Sequence, residues 1–237
     1  MVERVRLLKL LQGVNSEIEL AALLREAAHQ FDMSSFAIYD LPCRNAVQLK
    51  PYVRLTDTPT RFYDNYDRHE LLRDSPMFNH LRKSTTPKLW RSDTLLHKRT
   101  EPRNAHVRDV LSEMGFEDAA VIPVHKIDGT RGAVIFSGSG VDISHYELGI
   151  LGLIAVHAYD IFDLLNQARE ALDNPLTARE TEVLEWAANG KTSGEIAQIL
   201  ALSDHTINTY MNSAMRKLDC VNRTQLVAKA LRLHLIN

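Results

Sequence analysis

The stretch from Leu176 to Leu235 constrains this chain more than any other, because it carries four helix starts that can each be read from local chemistry. Thr177 with Glu180 and Thr192 with Glu195 have capping-box spacing: the hydroxyl accepts from an orphan backbone N–H and the carboxylate reaches back to the cap. Asn222 with Gln225 opens a fourth helix in the same way, and Ser203 opens the third, with Asp204 at the positive end of its dipole. Only Ala201 and Leu202 separate the second helix from that third cap. So short a joint makes the two helices cross steeply, as in a helix-turn-helix.

The apolar spacing agrees. Ile196, Ile199 and Leu200 form one stripe; Ile207, Met211, Ala214, Met215 and Leu218 form the next; Leu226, Val227, Ala230 and Leu231 close the core. The third helix then presents His205, Asn208, Thr209, Asn212, Arg216 and Lys217 outward. Asn208 and Asn212 stand one turn apart on one face. A carboxamide pairs bidentately with the N6 and N7 edge of adenine, so this helix is suited to a major groove. Arg216 and Lys217, at its negative end, suit phosphate.

These residues resemble the DNA-binding domain of LuxR-type regulators, also called GerE-like. The matching residues are Leu176-Thr-x-Arg179-Glu180-x-Glu182-Val183-Leu184, Gly190-Lys191-Thr192-x-x-Glu195-Ile196-Ala197, Ser203-x-x-Thr206-Ile207 and Lys217-Leu218. The resemblance implies double-stranded DNA as partner, with Lys191, Thr192, His205, Thr206, Asn208, Thr209, Asn212, Arg216 and Lys217 as candidate contacts. Asn208 and Asn212 are the expected base readers; Lys191, Arg216 and Lys217 are expected on phosphates.

The chain has 237 residues, of which this module takes about sixty, leaving enough for an independent core. Net charge is −2, so no global basic field holds DNA. From Leu176 onward seven cations face six anions, a net of +1. One copy should bind DNA weakly, and two copies are needed for useful affinity. Cys43 and Cys220 stand alone, which fits a reducing cytosol better than a disulfide framework. The amino terminus is charged and amphipathic without a cleavable apolar core. The most apolar run, Leu148 to Leu165, is interrupted by His157, Asp160 and Asp163, so it reads as a buried or interface helix rather than a membrane span.

Residues 2–12 and the stretch opened by Ser16 read as two helices, the second burying Ile18, Leu20, Leu23, Leu24 and Phe31. Strands are expected over Phe36–Tyr39, Ala46–Leu55, Pro87–Trp90, Ala119–His125 and Ala133–Ser137, with Pro51 at an edge or bulge. Asp128-Gly129 marks a hairpin between the last two. Short helices are expected at Thr60–Tyr66 and Pro76–Arg82, then a longer one at Asn104–Met114. Ser144 caps a helix reaching about Leu172, which Asp173-Asn174-Pro175 breaks. The expected architecture is α+β: an amino-terminal α-β-α sandwich with an antiparallel sheet over 1–172, a linker at 173–175, and an all-α four-helix helix-turn-helix domain over 176–237. Apolar residues of the long helix, Leu151 to Leu165, exceed what one sheet can cover, and part of that surface is expected to form a two-fold homodimer contact.

The amino-terminal part is similar, more distantly, to the autoinducer-binding domain of LuxR-type quorum-sensing receptors. That family has Trp and Tyr four residues apart, then Asp-Pro, then a second Trp; here Phe62, Tyr66, Ser75-Pro76 and Trp90 occupy the matching spacings. The resemblance implies a ligand pocket formed by Phe62, Tyr66, Ser75, Trp90, Val121 and Ile135. Phe62 lacks the indole donor for a lactone carbonyl, and Ser75 is a neutral acceptor where the family has a carboxylate for the ligand amide. Thr58 replaces a usual Tyr and Ala119 a usual Gly. A small apolar or amphipathic signal is therefore expected, either an acyl-homoserine lactone or a different molecule. Alternatives are ligand-free regulation and an anti-activator pairing with a related regulator.

No catalytic, metal or cofactor motif is present: the ten His are scattered and no P-loop, HExxH, Cys-x-x-Cys or Gly-x-Ser-x-Gly occurs. Asp40, at the end of a strand, resembles a phosphoacceptor only superficially, because no acidic pair or repeated βα pattern accompanies it. The expectation is a cytoplasmic, homodimeric, non-enzymatic regulator.

Overall fold

One sheet with a core on each of its faces organises the amino-terminal half. The computed structural model describes residues 2–91, 103–127, 129–173, 175–233 and 235–236. The chain divides into two units, Met1–Leu165 and Asn166–Asn237. In the first, β1 (Ser35–Asp40), β2 (Val53–Thr56), β3 (Lys88–Arg91), β4 (Asp118–His125) and β5 (Arg131–Gly138) form one antiparallel sheet in the order β2-β1-β5-β4-β3. Period two sends alternate residues to opposite faces. Phe36, Ile38, Ala120, Ile122, Val134 and Phe136 pack against α1 (Val2–Leu11), α2 (Glu17–Gln30) and α6 (His145–Asp173). Ala37, Tyr39, Trp90, Ala119, Val121, Ala133 and Ile135 face α3 (Thr60–Arg68), α4 (Pro76–Leu81) and α5 (Arg103–Met114). The result is the expected α-β-α sandwich.

The β4–β5 turn closes as a hairpin: Lys126 N–H donates to the Thr130 carbonyl at 2.8 Å and Gly129 takes φ +87°. Asp128 of the expected turn pair lies outside the described residues. Ser144 and Glu147 form a reciprocal cap ahead of α6, with both backbone N–H groups satisfied. Asp40 pairs across the strands with Arg54.

The expected strand Ala46–Leu55 is corrected to β2 alone, preceded by a 3-10 turn at Lys50–Tyr52. Pro51 supplies no N–H, and the Asp67 carboxylate accepts from Leu49 and Lys50 N–H at 2.6 and 3.1 Å, which removes those donors from any ladder. Ile18, expected to be buried, is 83% exposed, because α2 turns Leu20, Leu24 and Ala27 inward and position 18 falls on its outer side. Leu10 on α1 is exposed for the same reason. On α6 the inner face is Leu148, Leu151, Ile154, Ala155, Ala158 and Phe162; Leu153, Val156 and Leu164 remain exposed. The helix is long and apolar enough to cross a membrane by length and composition alone, but its inner side is core of a sandwich.

The second unit contains α7 (Ala178–Ala188), α8 (Ser193–Leu200), α9 (Asp204–Lys217) and α10 (Arg223–Arg232). All four expected caps form: Thr177 and Thr192 in full capping boxes, Ser203 accepting from Thr206 N–H, and Asn222 accepting from Gln225 N–H. Val183, Leu184, Ile196, Ile207, Met211, Ala214 and Leu226 make the core. Ile199 and Leu231, expected within it, are exposed instead. In short helices three positions suffice to fill so small a core, and these two lie past the edge of the buried arc. The α8–α9 joint bends at Ala201, whose φ of +53° a residue with a Cβ adopts only at a cost.

Candidate functional site

Helix α9 is packed on α7 and α8 by Ile207, Met211 and Ala214, which leaves a polar outer arc. His205, Asn208, Thr209, Asn212 and Arg216 are exposed on it, and Thr206 is half-buried. Their surroundings differ. Ser193 on α8 donates to Asn208 Oδ1 at 2.9 Å, so one end of that carboxamide is already engaged. Thr209 donates back to the His205 carbonyl at 2.8 Å, and Thr206 shares its hydroxyl with Ser203 at 2.8 Å. Asn212 and Arg216 have no protein partner for their side chains among the described residues.

The cations expected on phosphate are held unequally. Lys217 Nζ donates to Glu180 Oε2 at 2.7 Å, an oxygen that also accepts from Thr177 N–H at 2.7 Å. Glu180 is only 4% exposed. Burial by itself raises its carboxyl, but bonds from Lys217, Ser213 and Thr177 outweigh that and hold it at about 2. Lys217, expected on phosphate, is thus exposed but already paired with Glu180. Lys191 lies 3.8 Å from Glu195 one turn on, a loose surface pair, and its carbonyl accepts from Arg223. Thr192 is committed to its capping box, whose backbone and hydroxyl bonds lower the Glu195 carboxyl.

A second site lies under the sheet face opposite α6. A cavity of about 60 Å³ is floored by Ala37, Ala119, Ile135 and Ser137 and roofed by Phe62 and Tyr66 of α3, Met77 of α4 with its cap Ser75, and Val107 and Leu111 of α5. Tyr39, Leu49, Thr58 and Phe116 complete its wall. Small side chains on the floor create the space. Aromatic rings close one end, with Phe62 at 5.3 Å from Tyr63 and 5.4 Å from Phe116, both edge-on.

Among the described residues no carboxylate or cation lines this cavity; its polar side chains are hydroxyls, those of Tyr39, Thr58, Tyr66, Ser75 and Ser137. Burial first, then the neighbouring Tyr63, pushes the Tyr39 phenol upward, so it stays neutral. Tyr39 shares a bond with Tyr63 at 3.2 Å, and Tyr63 with Thr56 at 3.1 Å. Thr58 shares one with Ser35 at 2.6 Å. Ser75 caps α4, accepting from Phe78 N–H at 3.4 Å, and keeps its own hydrogen to donate.

Of the expected pocket residues, Phe62, Tyr66, Ser75 and Ile135 meet at the cavity. Trp90 and Val121 do not reach its wall: both are buried on the same sheet face, Trp90 next to His80 and under Lys88 at the outer strand. Sequence reasoning missed Ala37 and Ser137. Both follow from strand alternation once Ile135 is placed, since Ala37 pairs with Ile135 and Ser137 lies two residues on. Phe116 and Leu49 sit in connections, where no periodicity marks them.

Comparison with known proteins bears on both sites. Residues 16–161 match the model of the autoinducer binding domain, and residues 174–230 match that of the bacterial regulatory proteins of the luxR family. The chain is 32% identical over 203 residues to the quorum sensing-dependent transcriptional regulator RpaR of Rhodopseudomonas palustris, covering 86% of this chain and 82% of that one. It is 55% identical over 62 residues to the regulator VjbR of Brucella abortus, covering 26% of this chain and 24% of that one. Among solved structures, Escherichia coli SdiA is similar in fold, with a TM-score of 0.69 at 21% identity over 100% of this chain and 98% of that one. With a helix-turn-helix that carries an exposed polar reading face and a hollow sandwich before it, the chain belongs to the LuxR family of DNA-binding transcriptional regulators, with an autoinducer-binding domain.

Proposed function

We propose that this regulator answers to a neutral, largely apolar signal held in the cavity beneath the sheet, and that it acts from the cytoplasm as a homodimer. The observation that carries the reading is the cavity wall: apolar and aromatic, with hydroxyls and, among the described residues, no charge. A charged ligand would lose its hydration there without a counter-charge. The usual receptor chemistry for an acyl-homoserine lactone is reduced at Phe62 and Ser75. Losing a neutral bond costs about 1 kcal/mol and a charge-assisted one about 1.5–3 kcal/mol. Together these weaken a lactone by roughly two to three orders of magnitude.

A ligand that binds only the folded, closed sandwich stabilises it by mass action and shifts the population toward the DNA-competent dimer. The exposed stripe of Leu153, Val156 and Leu164 on α6 is the surface on which a second copy fits. The joint at 173–175 then carries two reading modules to half-sites about ten base pairs apart. Asn212 and Asn208 read bases, with His205 and Thr209 beside them, and Arg216 and Lys191 meet phosphates.

Native mass spectrometry of full-length protein from a host that makes no acyl-homoserine lactone tests this. The expected result is a dimer that takes up a neutral probe such as 1-octanoylglycerol, one per chain, in preference to octanoyl-homoserine lactone and octanoate. A monomer at micromolar concentration, or uptake of octanoate above both neutral probes, refutes the reading.

A further inference from the structure

Glu180 and Lys217 lie 37 residues apart, yet they meet where α7 begins and α9 ends. Glu180 is almost wholly enclosed; its Oε2 accepts from Thr177 N–H of its own cap and from Lys217 Nζ of the reading helix, and the Ser213 hydroxyl, one turn earlier on that helix, helps to lower the carboxyl. Ser213 and Lys217 are one helical turn apart, so the side of α9 that they share is the one turned toward the carboxylate, where Lys217 holds it. An ion pair on that side, near the end of α9, restrains rotation about the helix axis as well as tilt. Asn212 and Arg216 precede Ser213 and Lys217 by one position each, about 100° round the helix, and both are exposed. Turning 213 and 217 toward the carboxylate thus presents 212 and 216.

A phosphate that drew the Lys217 ammonium away from Glu180 would leave that buried carboxylate without its counter-ion, a strongly destabilising change. Arg216, the neighbouring cation, is exposed and has no such tie among the described residues.

We propose that Lys217 is a positioning residue for DNA reading: bound to Glu180, it sets the rotation and tilt of α9 so that Asn212 meets the base edge and Arg216 the phosphate. The proposal rests on α9 being the reading helix.

The test uses the full-length chain and two duplexes of equal length and composition, one selected by the protein from a randomised library and one scrambled. Affinity is measured against KCl concentration for the wild type and for Lys217→Met, Lys217→Arg, Glu180→Gln and Arg216→Ala. Lys217→Met should leave the salt slope unchanged on both duplexes while reducing preference for the selected one by roughly tenfold, the scale of one lost base contact. Lys217→Arg should restore that preference. Arg216→Ala should lower the slope by about 0.9 on both. If Lys217→Met does not fold, Glu180→Gln decides, because the amide keeps the cap acceptor while removing the charge that holds Lys217; the same loss of preference without a fall in slope is expected. A slope reduced by about 0.9 with equal loss on both duplexes in Lys217→Met overturns the proposal. So does wild-type preference in a folded Glu180→Gln variant. A wild type that prefers neither duplex strikes instead at α9 as the reading helix.

Discussion

Replacing Ala119 by Val tests directly whether the space beneath the sheet is a void and whether a signal uses it. Ala119 sits in β4, opposite Trp90 and Ser137, with its Cβ on the cavity floor. Valine adds two carbons there, worth about 0.8 kcal/mol each when buried, or about 1.6 kcal/mol. Filling a 60 Å³ hole at about 24 cal/mol per Å³ gives about 1.4 kcal/mol. The two routes agree on about 1.5 kcal/mol of added stability, and a β-branched residue suits a central strand. For a unit of this size that raises the midpoint of thermal unfolding by roughly 3–6 °C. Circular dichroism melts of the full-length protein measure it, with and without 1-octanoylglycerol. The variant should be more stable when empty and should lose the ligand-induced shift. Destabilisation by more than about 1 kcal/mol, as overpacking produces, refutes the void. An undiminished ligand shift refutes its use.

Introducing Phe62→Trp with Ser75→Asp should produce response to acyl-homoserine lactones in a reporter strain. The aspartate still caps α4, and the charge-assisted bond adds about 1.5–3 kcal/mol, roughly tenfold to a hundredfold in affinity; silence across a panel of chain lengths defeats the idea. Asn212→Ala should relax sequence preference in a library selection, whereas equal losses on selected and scrambled DNA exclude it as a base reader. Ser193→Ala releases the bonded end of Asn208 and should sharpen adenine preference at the base pair that residue meets; an unchanged logo means the bond does not restrain it. Acid should unfold the carboxy-terminal unit in part through Glu180. Its folded value of about 2 lies below an unfolded value of about 4.3, so its stabilisation is complete above that pH and is lost as pH falls toward 2. The difference corresponds to at most about 3 kcal/mol. In urea titrations Glu180→Gln should lower stability at pH 7 and flatten its dependence between pH 5 and 2; a parallel curve counts against the pair.

Helix starts were legible because a capping box is complete within four residues: Thr177 with Glu180 and Thr192 with Glu195 need nothing from the rest of the chain. The sandwich followed from period-two strands and the Gly129 turn. Ala46–Leu55 misled because its residues suit a strand while Asp67, eighteen positions after Leu49, takes the N–H groups a ladder needs. Ile18 and Ile199 misled because an apolar residue states a preference for burial, not which arc of a helix a neighbour covers.

The same division runs through the candidate sites. By itself, the sequence determined the helix-turn-helix, the identity of its outward polar residues, and the absence of a family donor and carboxylate at Phe62 and Ser75, since these are matters of residue type and short spacing. Tertiary structure alone decided which of two adjacent cations is free. Arg216 and Lys217 are indistinguishable in the chain, and only the approach of α7 brings Glu180 to one of them. It also decided that Trp90 and Val121 stop short of the cavity while Ala37, Ser137 and Phe116 line it. Space between layers is set by which side chains are too small to fill it, and that sum is taken over residues from three strands, three helices and their connections at once.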